Sequence, residues 1–439
     1  MTIKLLALLF LFSYCAPARY SSFLLDVSPT KVFAHYLPHY RTPGVDGAYA
    51  GWNIYNQNPP DNIASSYYSL LDLYSSNDPV YLEYQLQLMK LVGIDGLCID
   101  VGIYTDEASK LVRTLIELLI KYKMIAFPIY HDSERFYTSS GTRKNKVNDI
   151  LDDMDSWLDV FVDVQLSVSG RAVLGIISTS GTKGVEEGNL DDTEKRLLPE
   201  EIKGWLNTKP NLKKPILINQ LFDSNYNQIF SGMLEWIVPV DQSQATYKQV
   251  QDSRVKLIGE VENNMRELTI FYHITTVWPG YDDSKVNGWG KGGRYVAYED
   301  ELTYKYLWDS VLNISSPIVV IDSWNNWWNG TAIEPSKEKE YKYLEITRKY
   351  TTTFKEQNVT HINLKVPELM YRMKLHTSID VQEIGEVIRN LIEKEEYLAA
   401  EVLALYHAER LEMYTPEKSF GIALNLYLVL VLPLILISL

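Results

Sequence analysis

Eight short apolar runs, rich in Val, Ile, Leu, Phe or Tyr, recur along this 439-residue chain with helical patterns in most of the gaps. They are KVFAHYL (31–37), IDGLCID (94–100), MIAFPIY (124–130), AVLGIIS (172–178), PILINQ (215–220), LEWIVPV (234–240), TIFYHIT (269–275) and PIVVIDS (317–323). Runs that are continuous rather than alternating suggest strands buried on both faces, as in a parallel sheet. The stretch PVYLEYQLQLMKLVG opens with Pro79 at a first-turn position behind Asp78, a good N-cap. DEASKLVRTLIELLIKYK sets Leu111, Leu115 and Leu118 or Leu119 on one face, with acids first and lysines last. Repeated strand–helix units predict an α/β chain folded as a (β/α)8 TIM-type barrel over 31–350, with an open doubly wound sheet as the alternative. Segment 38–78 is then a long loop on the C-terminal face, where such barrels carry their function.

A hydrophobic content of 46% with 22% charged residues suits a packed core. The net charge of −14, without basic runs, argues against a nucleic-acid partner. The two cysteines are Cys15, in the N-terminal apolar run, and Cys98, so no intramolecular disulfide is expected after processing. No Cys/His spacing suggests zinc and no Gly-rich phosphate loop occurs, so neither a metal nor a cofactor is expected.

The ends carry targeting signals. Lys4, an apolar run to Phe12 and then Ala16-Pro17-Ala18 read as a signal peptide over 1–18. Residues 420–439 form an apolar run long enough to span a bilayer, with a lipid-anchor signal as the rival reading. Sequons at Asn313, Asn329 and Asn358 agree with an exported glycoprotein. Residues 362–419 include two amphipathic helices rich in Glu and Lys, either a helical stalk or an appendage packed on the barrel. Together these features predict a protein exported to the cell surface or the secretory pathway and membrane-anchored at its C-terminus.

The eighth run leads into DSWNNWWNGTAIEP (322–335). Tryptophan is costly to expose, and Trp324, Trp327 and Trp328 crowd together with Asn325, Asn326 and Asn329 between them. Indole faces stack on the C–H groups of sugar rings and amides bond sugar hydroxyls, so the cluster suggests a glycan site.

Several motifs then resemble one family. NPPDNIASSYYSLLDLYSSNDP (58–79) is similar to glycoside hydrolase family 99, the endo-α-mannosidases, through Pro59-Pro60-Asp61 and Tyr74-Ser75-Ser76-Asn77-Asp78-Pro79. Trp52-Asn53 resembles a family Trp-Asn in the same loop, and WPGYDD, with Trp278 and Tyr281, resembles the family's Pro-Gly-Tyr segment after strand seven. AHYLPHY, carrying His35, Tyr36, His39 and Tyr40, resembles a related family of glycan-synthesis proteins with the same barrel. The resemblance implies a TIM barrel and a mannose-containing glycan partner. It also implies that the family's two working glutamates, a base on the sugar's 2-hydroxyl and an acid on the leaving oxygen, fall on Asn326 and Asn329. Trp324, Asn325, Trp327, Gly330, Thr331, Ile333 and Glu334 keep the pattern. The family's Ile-Glu-Pro-Tyr is Ile129-Tyr130-His131-Asp132 here, and its Ser-Trp-Tyr is Asp100-Val101-Gly102.

A neutral amide neither donates nor accepts a proton near working pH, whereas glycoside cleavage needs one group for each task. The first reading is therefore a cell-surface glycan-binding barrel without the family's hydrolysis. The second is an active glycosidase, or another glycan enzyme, with relocated acids at Asp322, Asp100 and Asp132, all at strand ends. The third is a structural or adhesion protein that keeps only the fold.

Overall fold

The computed structural model describes residues 30–411 apart from breaks at 102–105, 133–134, 137–139, 178–195, 220–228, 236–243, 268–271, 291, 315 and 358–360. The expected signal peptide and C-terminal apolar span lie outside the described residues, as does Asn358. Among the described residues no helix is long and apolar enough to cross a membrane.

Eight parallel strands close into a barrel: β1 (Lys31–Tyr36), β2 (Gly96–Val101), β3 (Ile125–Tyr130), β4 (Arg171–Ile176), β5 (Ile216–Asn219), β6 (Gly232–Leu234), β7 (Tyr272–Val277) and β8 (Ile318–Ile321). Each pairs with its sequence neighbour, and β8 returns to β1 with Lys31 opposite Ile318 and Ala34 opposite Ile321. The open-sheet alternative is thereby excluded. The barrel interior is filled by alternate residues, among them Phe33, Cys98, Phe127, Ile218, Leu234, Ile274 and Val320. Phe33 and Phe127 meet edge to face at 5.3 Å. Gly96 is needed here, because a Cβ on it would lie 2.1 Å from the Ile125 carbonyl oxygen.

Two strands differ from expectation. β6 begins at Gly232 rather than at 234, and residues 236–240 of the expected run lie outside the described part. Gly232 and Ser231 hid its start in the hydropathy pattern. β7 reaches Val277, two residues past the end of the expected run, carried by the β-branched pair Thr275 and Thr276, while residues 269–271 of that run lie outside the described part.

Among the described residues, and apart from one turn of helix at Pro43–Asp46, seven helices follow the strands: α1 (Pro79–Leu91), α2 (Asp106–Tyr122), α3 (Arg143–Val160), α4 (Pro199–Asn207), α5 (Tyr247–Arg266), α6 (Leu302–Leu312) and α7 (Lys342–Lys355). The Asp78 carboxylate caps α1 by accepting from Val80 N at 2.9 Å and Tyr81 N at 3.3 Å. Three more helices, α8 (Lys365–Lys374), α9 (Ile379–Glu393) and α10 (Tyr397–Arg410), form a C-terminal group. Tyr371 of α8 packs against Tyr81 and Tyr84 of α1 at 5.7 and 5.8 Å, so this group lies against the barrel. That cover explains why most of α1 is buried, on more than the single face an outer barrel helix usually hides.

Candidate functional site

The inward positions at the C-terminal ends of β1, β2 and β8 are His35, Asp100 and Asp322, because residues two apart on a strand share a face. All three are buried. The His35 ring lies between the carboxylates: Nε2 donates to Asp100 Oδ1 at 2.7 Å and Nδ1 to Asp322 Oδ1 at 3.0 Å. His131, just past β3, donates from Nε2 to the same Asp100 oxygen at 3.0 Å. His39 Nε2 stands 4.0 Å from Asp100 Oδ2.

These contacts set the charges. Burial alone would discharge His35, but Asp100 and then Asp322 outweigh it and hold the imidazolium up to about 10. Burial would likewise protonate Asp100, yet His35 and His131 keep its carboxyl well below the usual range. His39 is pushed down to about 3, by burial first and by His131 and His35 next, against the pull of Asp100. The floor of the mouth thus holds a fixed cation, a fixed anion and a fixed neutral ring. Asp322 Oδ2 is buried and has no hydrogen-bond partner among the described residues.

The β8 loop closes one side. Ser323 N donates to Thr331 O at 3.1 Å and Asn329 N to Asn326 Oδ1 at 3.2 Å, so Asn326 builds its own turn. Gly330 completes that turn at φ 65°, where a Cβ would lie 2.6 Å from the Tyr298 hydroxyl. Asn325 reaches the other way: Leu37 N donates to its Oδ1 at 2.8 Å and its Nδ2 donates to Leu37 O at 3.0 Å.

The tryptophans pin the long 38–78 loop. Trp324 and Trp327 are 0% and 1% exposed, which leaves no indole face for a sugar as the chain stands. Trp327 Nε1 donates to the Tyr74 hydroxyl at 3.2 Å, and Trp52 Nε1 to the Tyr74 carbonyl at 3.0 Å. Tyr40 packs on Trp52 at 4.3 Å. Trp328 is 7% exposed, donates to Gly51 O at 2.6 Å and stacks on His39 at 5.5 Å. That stack links it to the His35 group, to which Trp324 is also tied by its backbone N–H donating to the His35 carbonyl at 2.8 Å.

Glu334 is the buried centre of a separate network. Its carboxylate accepts from Gln85 Nε2 at 2.6 Å, Tyr74 OH at 2.9 Å and Tyr81 OH at 3.1 Å. Tyr36 OH in turn donates to Gln85 Oε1 at 2.8 Å. No cation offsets the burial, so the carboxyl rises to about 7 although these donors pull it down.

No family model matches the chain. The glycoprotein endo-α-1,2-mannosidase of Rattus norvegicus is 26% identical over 399 residues, covering 77% of this chain and 78% of the relative. Its counterpart from Mus musculus is 24% identical over 409 residues, covering 79% and 80%. The solved GH99 endo-α-mannosidase from Bacteroides thetaiotaomicron shares the fold at a TM-score of 0.53 and 17% identity, covering 74% of this chain and 97% of that one. The chain is a glycoside hydrolase family 99-like barrel.

In this family 99-like barrel the residues singled out from the sequence do not form one cluster. His35, His39, Asp100 and Asp322 come together, joined by Trp328 through its stack on His39. Asp132 is engaged elsewhere, accepting from Leu197 N at 2.9 Å. Tyr130 donates to Asp153 Oδ2 at 2.8 Å. Tyr281 donates to Asp283, which Arg294 clamps in the loop after β7. Trp278 is buried near the end of β7, Asn53 is exposed, and Asn329 is half-buried with its carbonyl accepting from Asp282 N at 2.8 Å. Sequence reasoning passed over His131 as a member of the site. Its place directly after β3, two residues past the inward Ile129 that pairs with Asp100, is the signal that would have found it.

Proposed function

We propose that this protein binds a glycan, of the mannose-containing class its relatives' names point to, and does not cleave it. The observation that carries the reading is the bridge in the mouth, where the His35 ring nitrogens are taken up by Asp100 at 2.7 Å and Asp322 at 3.0 Å. His35 is held protonated, His39 neutral and Asp100 ionised, each far from neutral pH. Proton transfer in glycoside cleavage needs groups poised near working pH, one to give and one to accept. Amides stand at Asn326 and Asn329, the positions matched to the family's two acids, and an amide keeps its hydrogen bonds with hydroxyls while giving up acid–base chemistry. The N-terminal signal-like run and the C-terminal apolar span support an exported, membrane-held protein. The test is a glycan array probed with the protein, run beside product release from α-mannosides. Binding without release supports the reading, and release removes it.

A second reading rests on Asp322. It is 1% exposed, and its Oδ2 has no partner among the described residues. A buried carboxylate oxygen of this kind can receive a substrate hydroxyl or attack one carbon. If hydrolysis is found, Asp322 is the residue to replace first.

A further inference from the structure

At the opposite end of the barrel, below the starts of β1, β2 and β3, lies a cavity of about 280 Å³. Four lysines line it: Lys31 at the start of β1, Lys90 in the last turn of α1, Lys123 just before β3 and Lys355 in the last turn of α7. Asp95 is the one carboxylate in the lining, so four positive charges less one negative leave +3. The whole chain carries −14, so such a concentration of lysine is not a sample of the average surface.

The lysines divide into two pairs. The Lys355 side chain is 8% exposed; its ammonium bonds Asp95 Oδ2 at 2.7 Å and the Gly93 carbonyl at 2.5 Å. Lys90 donates to the Tyr122 carbonyl at 2.9 Å. The same Asp95 Oδ2 also accepts from Val32 N at 2.8 Å. Lys31 and Lys123 form no ion pair or side-chain hydrogen bond among the described residues. Burial lowers the proton affinity of Lys90 and Lys355; Lys123 adds to this at Lys90 against Glu395 and Glu393, and Lys31 adds a smaller push at Lys355 against Asp95. Like charges held around one cavity repel and cost stability unless an anion joins them.

We infer that this cavity binds a phosphate-type oxyanion, free or as the headgroup of a lipid, with Lys31 and Lys123 as its charged partners and Lys355 as a fixed cation behind them. Two rotatable ammonium groups suit a tetrahedral dianion, which offers several acceptors to point charges. The site is separated from the sugar-facing mouth by the length of the strands, roughly 20 Å for six residues. It stands whether or not that mouth binds a glycan.

The experiment is calorimetric titration of the full chain with inorganic phosphate, against sodium chloride at matched ionic strength. Wild type and a Lys248→Gln control, altered at an exposed position on α5, are expected to bind phosphate beyond any chloride effect. Lys31→Gln and Lys123→Gln are each expected to weaken binding about tenfold, the scale of one charge-assisted hydrogen bond. A second titrant, glycerophosphoinositol phosphate, separates the sources. Tighter binding than inorganic phosphate assigns a lipid headgroup, and equal or weaker binding assigns a free phosphate. No phosphate heat beyond chloride, or equal binding by wild type and both lysine variants, overturns the inference.

Discussion

His35 bridges Asp100 and Asp322, one ring nitrogen on each carboxylate, at 2.7 and 3.0 Å. The ring ties the first, second and eighth strands together at the mouth and keeps two buried carboxylates from facing each other alone. Its pKa rises from 6.5 to about 10 on folding, so folding favours the protonated form. The stabilisation is therefore fully present below about pH 6.5 and is lost as pH rises through about 10. Urea midpoints should fall across that window. His35→Gln should flatten the fall and cost about 3–5 kcal/mol, because it strips the charge partner from two buried acids. An unchanged midpoint in the variant contradicts the bridge.

Glu334 gives a second pH signature in a lower window. Its carboxyl moves from 4.5 to about 7 on folding, so the folded state holds a proton that the unfolded chain has released. Stability should decline as pH rises from about 4.5 to 7 and level off above, through this residue alone. Glu334→Gln should remove that slope with little loss at neutral pH. Glu334→Ala should cost about 2–4 kcal/mol by leaving the Gln85, Tyr74 and Tyr81 donors buried without an acceptor. Thermal melts of the three proteins at pH 5, 6, 7 and 8 check this.

Asn325 should prove structural. Its amide accepts from Leu37 N and donates to Leu37 O, fastening the β8 loop to the exit of β1. Asn325→Ala should destabilise by about 1–3 kcal/mol, the cost of orphaning a buried backbone donor and acceptor. If a glycan is bound, the variant should keep its affinity at a temperature where it remains folded. A full loss of binding at unchanged stability would make Asn325 a ligand contact instead.

The barrel was legible because strands buried on both faces read as unbroken apolar runs, and all eight appear in the ring. β6 is the instructive miss: its register depends on Gly232 lying under the Tyr272 carbonyl, a close approach that no hydropathy pattern records. In the site, strand ends put forward Asp100, Asp132 and Asp322 and the AHYLPHY stretch put forward His35; the fold joins His35 to Asp100 and Asp322 and turns Asp132 to Leu197 N, an arrangement that no strand pattern records. The tryptophans show the opposite limit. Their spacing was visible in the chain, whereas the cover supplied by Tyr40, Trp52 and Tyr74 comes from a loop more than two hundred residues away. A sequence pattern shows which residues are apolar, not which distant segment buries them.

Restoring acids at the two amide positions should give a small gain. Asn326→Glu together with Asn329→Glu sets two carboxyl groups close together, which pushes their pKa values apart and leaves one protonated as an acid. The gain should be limited, since Asn326 Oδ1 also holds Asn329 N in the turn and Tyr130 is bound to Asp153. Product release from α-mannosides by the double variant, above a wild-type baseline, is the readout.

Wild-type protein incubated with a panel of α-mannosides, with bound and released sugar both quantified, decides between binding and cleavage. Retention of an intact glycan with no product above the uncatalysed rate is the expected result. Turnover that survives Asn326→Ala and Asn329→Ala but disappears with Asp322→Asn would contradict it, and would place a working acid at the end of the eighth strand.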